Sequence, residues 1–254
     1  MQLNGQVAVV TGASSGMGEA TARYLSARGV KVALLDVNRQ ALDAVAAETG
    51  GLAITCDVSD AASMEAAIAK VCSEIGSPRI LVNCAGIAPA KRIVGRDGPV
   101  ELDHYRRVIE VNLIGTFNAM RCAADPMMKS EPVTDSGERG VIISTASVAA
   151  YEGQVGQAAY ASSKGGVVSL TLPAAREFSR FGIRVMTIAP GLIATPMMTG
   201  MPEEVQESLA ASVPFPKRLG DPEEFARLVE HIITNEMLNG EVIRLDGAIR
   251  MQAG

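Results

Sequence analysis

The sequence predicts an α/β fold, a doubly wound seven-stranded parallel sheet of the Rossmann-like kind with helices on both faces. Three observations support this prediction. Short β-branched apolar runs recur along the chain, longer amphipathic segments separate them, and no internal repeat or linker interrupts the 254 residues. Strands that alternate with helices are joined by right-handed crossovers, which makes neighbouring strands parallel. We therefore expect a single domain over residues 1–254.

Seven apolar runs of three or four residues are predicted to be buried strands. They are residues 7–10, 32–35, 52–54, 80–82, 141–143, 185–188 and 242–245. Six segments with helical periodicity alternate with these strands. The predicted helices are residues 19–28, 39–48, 61–75, 102–128, 158–178 and 222–234. Pro173 lies inside the fifth helix, where it removes a backbone hydrogen bond and is expected to produce a kink.

The segment 191–217 breaks this alternation. It follows a predicted strand but contains four prolines, together with Met197, Met198 and Met201. Such a sequence is typical of a mobile apolar loop, so we expect it to be a substrate loop. The alternative is a connection whose methionines simply cover the core.

The composition excludes several classes of protein. Lys and Arg total 23 against 28 Asp and Glu, and the net charge of −5 offers no general attraction for nucleic acid or anionic lipid. No apolar run approaches the 18 or so residues of a membrane span, and no targeting leader is recognised, so a cytoplasmic protein is expected. The four cysteines and two histidines have the spacing of neither a zinc site nor a disulfide framework, and no metal site is predicted.

A glycine-rich turn follows the first predicted strand, with the sequence TGASSGMG at residues 11–18. Gly12, Gly16 and Gly18 allow the backbone to turn tightly and to approach a pyrophosphate, which the N–H groups of the next helix would bind. The spacing of these glycines differs from the common GxGxxG fingerprint, so the motif alone is weak evidence for a dinucleotide site. Its position at the first strand-to-helix turn strengthens the prediction of a dinucleotide site.

Asp36 ends the second predicted strand, where a carboxylate can accept hydrogen bonds from the ribose hydroxyls of a dinucleotide. The same carboxylate would repel the 2′-phosphate of NADP. Neither Ser15 nor Val37 supplies a compensating positive charge. The sequence therefore favours NAD as the cofactor, and the nearby Arg39 keeps NADP open as the alternative.

Tyr160 and Lys164 are four residues apart in a predicted helix and therefore share one face. An ammonium about 4 Å from a phenolate stabilises it by about 4 kcal/mol at an effective dielectric constant of about 20, which would bring a tyrosine pKa from about 10 towards 7. A tyrosine of that pKa is suited to general base catalysis. Ser147, just beyond the strand 141–143, is expected at the same carboxyl edge of the sheet. Many tyrosine–lysine pairs on protein surfaces have the same spacing, so the spacing alone does not identify a general base.

Taken together, these motifs resemble the short-chain dehydrogenase/reductase family over about residues 7–251. The resemblance is carried by TGASSGMG at 11–18, CDV at 56–58, NCAG at 83–86, Asn112, Ser147, YASSK at 160–164 and Pro190-Gly191. It implies an oxidoreductase with a nicotinamide cofactor and a tetrameric assembly.

The resemblance also implies a role for each matching residue. Ser147 would bind the substrate oxygen, Tyr160 would be the acid/base, and Lys164 would bind the nicotinamide ribose and lower the tyrosine pKa. Asn112 would hold a water of a proton relay. Asp57 and Val58 would contact the adenine. The full set of implied cofactor contacts is Gly12, Ser15, Gly16, Met17, Gly18, Asp36, Asp57, Val58, Asn83, Cys84, Ala85, Gly86, Tyr160, Lys164, Pro190, Gly191 and Thr195.

Residues 145–157, 184–191 and 239–252 resemble the members of this family that interconvert 3-hydroxyacyl-CoA and 3-oxoacyl-CoA with NAD. That reaction, by hydride transfer with tyrosine acid/base catalysis, is the expected function. The alternatives are an NADPH-dependent 3-oxoacyl-carrier-protein reductase, against which Asp36 argues, a hydroxysteroid dehydrogenase, and a non-catalytic scaffold. The sequence does not determine the acyl-chain length, because one methylene changes binding by only about 1 to 3 kcal/mol.

The predicted helices 102–128 and 158–178 carry apolar residues on more than one face, which is more than a single core-facing stripe requires. A homotetramer would cover these faces, as the family resemblance also implies. The alternative is that residues 130–140 and the methionine-rich segment fold back over the two helices.

Overall fold

The computed structural model of the chain describes residues 1–253, and Gly254, the last residue of the expected domain, lies outside that range. The nine strands within this range are β1 (Val7–Thr11), β2 (Lys31–Asp36), β3 (Leu52–Thr55), β4 (Ile80–Asn83), β5 (Val94–Gly95), β6 (Gly98–Pro99), β7 (Gly140–Thr145), β8 (Ile183–Pro190) and β9 (Val242–Leu245). Seven of them form one sheet in the order β3-β2-β1-β4-β7-β8-β9, and all its pairs are parallel. The predicted doubly wound, seven-stranded fold is confirmed.

The helices are α1 (Gly16–Ser26), α2 (Arg39–Thr49), α3 (Ala61–Glu74), α4 (Leu102–Ile109), α5 (Gly115–Met128), α6 (Ala158–Ser179), α7 (Pro196–Thr199), α8 (Glu203–Ala211) and α9 (Pro222–Thr234). A π-helical turn, Glu110–Ile114, joins α4 to α5 where the sequence predicted one unbroken helix. The helix α6 continues through Pro173, so the proline does not end it.

Polar side chains fix where several of these helices begin. Asn38 accepts a hydrogen bond from the backbone N–H of Ala41 at the start of α2, and Asp60 does the same for Ser63 at the start of α3. At the start of α9, Asp221 forms a capping box. Such caps satisfy backbone N–H groups that have no partner within the helix.

The core has one hydrophobic layer on each face of the sheet, because successive residues of a strand point to opposite faces. On β1, Val9 belongs to the layer that packs against α3 and α5, and Val10 belongs to the layer that packs against α1 and α9. Both valines are fully buried, and each such side chain contributes about 1.5 to 3 kcal/mol to folding. The two layers hold the carboxyl ends of the strands in line at one edge.

Two segments depart from the simple alternation. β5 and β6 form a small antiparallel hairpin that the sequence analysis did not predict. The segment 191–217 contains α7 and α8, and each residue of α8 is at least partly exposed. Met201 is also exposed, whereas Met186, the neighbouring methionine in β8, is fully buried. The side chain of Met197 lies outside the described part of the structure.

Among residues 1–253, no helix combines the length and the apolar composition that crossing a bilayer requires. Within the same range, the His, Cys, Asp and Glu side chains form no group of three or more that could hold a metal ion.

Candidate active site

A cavity of about 360 Å³ opens at the carboxyl ends of β1, β2 and β4. It collects most of the residues that the family resemblance implied as cofactor contacts. Those in its wall are Gly12, Ser15, Gly16, Met17, Gly18, Asp36, Asp57, Val58, Cys84, Ala85, Gly86 and Thr195. The wall is completed by residues that the sequence analysis did not identify as cofactor contacts, and they are Ser14, Leu35, Val37, Cys56, Ser59, Ile87, Arg107, Glu110, Val111 and Pro196.

Most of these additional residues lie within or beside a motif that was recognised, and Glu110 and Val111 come just before Asn112 in the π-helical turn. Arg107, near the end of α4, adjoins no recognised motif, and only the tertiary fold brings it to the carboxyl edge of the sheet. A local motif could not have identified it.

The turns after β1 and β4 touch so closely that glycine is required between them. Gly12 has a φ of +66°, and a Cβ atom built there would lie 2.7 Å from the backbone nitrogen of Ala85. A Cβ atom at Gly18 would lie 2.1 Å from the carbonyl oxygen of Gly12. The N–H of Ala85 donates a hydrogen bond to Thr11 Oγ1 at 3.2 Å, which holds the two turns together. The result is a cradle walled by backbone, of the kind a pyrophosphate can enter.

Asp36 lies in the cavity wall, where its carboxylate accepts hydrogen bonds from two backbone N–H groups. Its Oδ2 accepts a hydrogen bond from the N–H of Ser14 at 3.2 Å, and its Oδ1 accepts one from the N–H of Asn38 at 3.0 Å. A carboxylate has about four acceptor positions, so it can still accept bonds from a ligand. Arg39, the residue that left NADP as the alternative cofactor in the sequence analysis, forms an ion pair with Asp43 at 2.8 Å along the surface of α2.

Asp57 and Val58, at the turn after β3, form a further part of the wall. Hydrogen bonds from the N–H and hydroxyl of Ser59 at 2.9 and 2.6 Å lower the pKa of Asp57. Val58 packs on Gly115 at the start of α5, where a Cβ atom would lie 2.6 Å from Val58 Cγ2. The long helical segment therefore supports the cavity directly.

Asn112 lies in the π-helical turn and is fully buried. Its Nδ2 donates hydrogen bonds to the carbonyl of Ile87 at 2.9 Å and to Ser163 Oγ at 3.0 Å. Its Oδ1 accepts one from the N–H of Ile87 at 2.8 Å. The side-chain amide therefore ties the loop after β4 to α6, while the proton relay implied for Asn112 stays a prediction.

The amine of Lys164 is buried at the inner end of this site. Its Nζ donates a hydrogen bond to the carbonyl of Thr145 at 2.6 Å, and burial lowers the pKa of Lys164 to about 8. A Cβ atom added to Gly86 would lie 3.6 Å from that Nζ, so the amine adjoins the cavity wall. On the other side, Thr145 Oγ1 donates to Cys84 Sγ at 3.7 Å, and burial raises the pKa of Cys84 to about 12.

Tyr160 differs from the sequence-based expectation. Burial raises its pKa, and the hydrogen bond with Ser147 acts in the opposite direction but is the smaller effect. The expected lowering by Lys164 is wrong for this arrangement, because the amine bonds to Thr145 and lies 5.8 Å from the centroid of the tyrosine ring. Ser147 caps the short 3₁₀ turn Val148–Ala150 by accepting from the N–H of Ala149 at 3.1 Å.

Three implied cofactor contacts lie behind the cavity wall in the described part of the chain. Asn83 is buried and donates to Ser144 Oγ at 3.3 Å, and its Oδ1 has no hydrogen-bond partner within residues 1–253. Pro190 ends β8, and Gly191 lies against Asp246, where a Cβ atom would meet backbone at 2.9 Å. These residues shape the sheet edge from behind.

A family model described as short chain dehydrogenase matches residues 6–206. The chain therefore belongs to the short-chain dehydrogenase family and is an oxidoreductase, which confirms the resemblance seen in the sequence. It is 51% identical to the 3-hydroxyacyl-CoA dehydrogenase type-2 of Homo sapiens, over 98% of this chain and 97% of that protein. The protein of the same name from Drosophila melanogaster is 47% identical, over 96% of this chain and 97% of that one.

Solved structures agree with this placement. The crystal structure of 3-hydroxyacyl-CoA dehydrogenase type-2 from Mycobacterium avium superimposes with a TM-score of 0.94 and 43% identity, and the match covers 98% of both chains. The agreement therefore extends over the whole sheet and its helices.

Proposed function

We propose that this protein is an NAD-dependent 3-hydroxyacyl-CoA dehydrogenase, which interconverts 3-hydroxyacyl-CoA and 3-oxoacyl-CoA. The observation that carries the proposal is the buried Lys164 amine between the Gly86 wall and Tyr160, in a chain whose full-length relatives have that name. The alternatives are a 3-oxoacyl-carrier-protein reductase and a hydroxysteroid dehydrogenase, and identities of 51% and 47% to 3-hydroxyacyl-CoA dehydrogenases along the whole chain favour the first function over both.

The cavity suits a dinucleotide. Gly16, Met17 and Gly18, at the start of α1, lie in the cavity wall, and the side chain of the N-cap residue Ser15 accepts no hydrogen bond from this helix terminus, so its first N–H groups can bind a pyrophosphate. Asp36 is placed to accept from ribose hydroxyls, and its charge disfavours a 2′-phosphate, so NAD is the proposed cofactor. The residues proposed to hold it are Gly12, Ser15, Gly16, Met17, Gly18, Asp36, Asp57, Val58, Cys84, Ala85, Gly86, Tyr160, Lys164 and Thr195, with Asn83, Pro190 and Gly191 supporting them.

A nicotinamide cofactor bound in this cavity would supply or accept the hydride. Tyr160 gives its phenolic proton to the substrate oxygen when a ketone is reduced and takes that proton back when the alcohol is oxidised. Burial raises the pKa of Tyr160, which keeps the phenol protonated and ready to act as the acid. Ser147, within hydrogen-bonding reach of Tyr160, binds the same substrate oxygen. With a pKa of about 8, Lys164 is largely charged at neutral pH and supports a phenolate when one forms.

The proposal is tested by following NADH oxidation with a panel of substrates. The panel contains acetoacetyl-CoA, longer 3-oxoacyl-CoAs, a 3-oxoacyl-carrier protein and a ketosteroid, each with NADH and with NADPH. We expect turnover of 3-oxoacyl-CoA with a clear preference for NADH. A preference for NADPH and the carrier protein would favour the reductase instead, and a purified, cofactor-binding protein that reduces none of the panel would refute the enzymatic function.

We also propose that the protein is a homotetramer built from one domain, with 191–217 as its substrate loop. The support for assembly is apolar surface on α4, α5 and α6, where Leu102, Phe117 and Leu172 are 58%, 51% and 44% exposed. Light scattering coupled to gel filtration should give one species of about four times 26.5 kDa. A monomer that remains active at nanomolar concentration would contradict the tetramer. The cytoplasmic location and the absence of a nucleic-acid partner stay predictions from the sequence.

A further inference from the structure

One arginine of the sheet holds the chain between Ser147 and Tyr160. Residues 148–157, here called the active-site loop, join Ser147 to the start of α6, which carries Tyr160. Arg244, on β9, donates to both carboxylate oxygens of Glu152 in this loop, from Nη1 to Oε1 at 2.8 Å and from Nη2 to Oε2 at 3.1 Å. A paired contact of this kind fixes orientation as well as distance. The active-site loop is therefore held at a defined position relative to the sheet.

The same arginine also contacts the backbone next to the segment 191–217. Its Nε donates to Asp246 Oδ2 at 2.7 Å, and its Nη2 donates to the carbonyl of Ile249 at 3.0 Å. A Cβ atom added to Gly191, the first residue of that segment, would lie 2.9 Å from the Cα atom of Asp246. Arg244 therefore connects the active-site loop to the place where the proposed substrate loop begins.

Residues 251–253 make further contacts with the active-site loop. The N–H of Met251 donates to Glu152 Oε2 at 3.1 Å, and the N–H of Val155 donates to the carbonyl of Ala253 at 2.9 Å. The side chains of Arg244 and Glu152 are only 23% and 19% exposed. Because water has limited access to this pair, its hydrogen bonds are stronger than those of a solvated surface pair.

Ser147 depends on the active-site loop for its position. Its Oγ accepts from the N–H of Ala149 at 3.1 Å, and its carbonyl accepts from the N–H of Ala150 at 3.0 Å. The N–H of Glu152 in turn donates to the carbonyl of Val148 at 3.0 Å. A shift of Glu152 is therefore transmitted through one short turn to Ser147, which binds the substrate oxygen in the proposed reaction. A displacement of about 1 Å in such a group can lower the rate about a hundredfold.

We propose that Arg244 is a positioning residue for the reaction, an inference that rests on the proposed function. Through Glu152 it holds Ser147 beside Tyr160. Through Asp246 it keeps the start of the proposed substrate loop in line with them. An arginine is required because one planar group bonds to two carboxylates and a carbonyl at once, which the single ammonium of a lysine does not reproduce. Neither Arg244 nor Glu152 is among the described residues that line the cofactor cavity, so NADH binding should not depend on them.

The test compares Arg244→Gln, Glu152→Gln and the double variant, with acetoacetyl-CoA and NADH. We expect kcat per NADH-binding site to fall at least about tenfold in Arg244→Gln, while the Kd for NADH stays within about twofold. The loss should be smaller in Glu152→Gln, because Asp246 keeps its partner. Since the arginine acts through Glu152, the double variant should be no slower than Arg244→Gln alone. In the NADH-loaded protein, hydrogen–deuterium exchange of the active-site loop should be faster in each variant.

The matched control is Glu230→Gln, which breaks an ion pair between Glu230 and Arg28 at 3.0 Å. This pair is also partly buried, and it joins α9 to the residues just after α1, at the end of that helix remote from the cavity. The control removes one ion pair between two segments, as Glu152→Gln does. It should leave kcat and the exchange of the active-site loop unchanged.

Three results would overturn the assignment. They are a kcat for Arg244→Gln within about twofold of wild type, single-variant losses that multiply in the double variant, and a loss of activity that only follows the loss of NADH-binding sites. The last result would show that Arg244 stabilises the fold without positioning the reacting groups. A wild-type protein that does not reduce acetoacetyl-CoA would refute the proposed function itself. The exchange measurement would then decide the contact separately, since unchanged exchange in Arg244→Gln would show that this arginine does not hold the active-site loop.

Discussion

The contact between the turns after β1 and β4 can be tested by adding a single methyl group. In Gly12→Ala, the new Cβ atom would lie 2.7 Å from the backbone nitrogen of Ala85 and 2.9 Å from the carbonyl carbon of Cys84. Both are backbone atoms, and the hydrogen bond from Ala85 to Thr11 holds that backbone in place. The substitution must therefore move the two turns apart and distort the cavity between them.

Two costs add up at this position. A non-glycine residue in the left-handed region costs about 1 to 2 kcal/mol, and forcing a methyl group into a packed contact costs about 1 to 3 kcal/mol. The free energy of unfolding should therefore fall by about 2 to 5 kcal/mol. For a chain of this size, that corresponds to a decrease in Tm of about 4 to 20 °C. NADH affinity should fall as well, because the displaced backbone forms the pyrophosphate cradle.

Gly50→Ala separates these two costs. Gly50 follows α2 with a φ of +65°, almost identical to that of Gly12, but a Cβ atom there meets nothing within 4 Å. This control should lose about 1 to 2 kcal/mol and bind NADH normally. Thermal unfolding followed by circular dichroism, with NADH titration by fluorescence, measures both effects. If Gly12→Ala were no less stable than Gly50→Ala and bound NADH equally well, the turn-to-turn contact would not be what requires glycine.

Three further predictions follow from the site. Tyr160→Phe should keep NAD affinity within a few-fold and lower kcat by at least about 10³, and a variant with more than a tenth of wild-type kcat would exclude Tyr160 as the acid/base. Asp36→Ala should weaken NAD and improve NADP, and an unchanged preference ratio would place the selection elsewhere. The pKa of Lys164 is lowered from 10.5 to about 8, so the amine binds its proton more weakly in the folded protein than in the unfolded chain. The free energy of unfolding should therefore rise between pH 8 and pH 10.5, compared with that of the Lys164→Met variant. Denaturant unfolding of both proteins across that pH range measures this difference, and if the amine were solvated the difference between their free energies of unfolding would not change with pH.

The sheet and the glycine turn could be predicted because both depend on local sequence. Apolar runs such as 80–82 are long enough for a strand and too short for a helix, and β4 (Ile80–Asn83) extends that run by one residue. The two turn residues of the β5–β6 hairpin are Arg96 and Asp97, which are not one of the common hairpin pairs. The hairpin was missed for this reason and because strands of two residues have no measurable periodicity.

The details of the site depend on contacts between distant segments, which local sequence does not encode. The spacing of Tyr160 and Lys164 correctly placed both on α6, but it could not show that the amine bonds to Thr145 instead of approaching the phenol. Similarly, nothing local distinguishes Glu110–Ile114 from an ordinary helix. Its Asn112 is held by Ile87, 25 residues earlier in the chain.

The π-helical turn also governs which length changes this chain can accept. A π turn accommodates one residue more than an α-helical turn, and each residue advances a helix by about 100°. Deleting one residue from Glu110–Ile114 would therefore restore α-helical geometry and leave α5 close to its present rotation relative to α4. The same deletion in the regular turns of α4 would instead rotate α5 by about 100° relative to the residues before the deletion, which would turn Gly115 away from Val58 or change the direction of the exposed Phe117. The π turn is thus the place where this long helical segment can lose a residue and still serve the cavity with one half and the proposed subunit contact with the other.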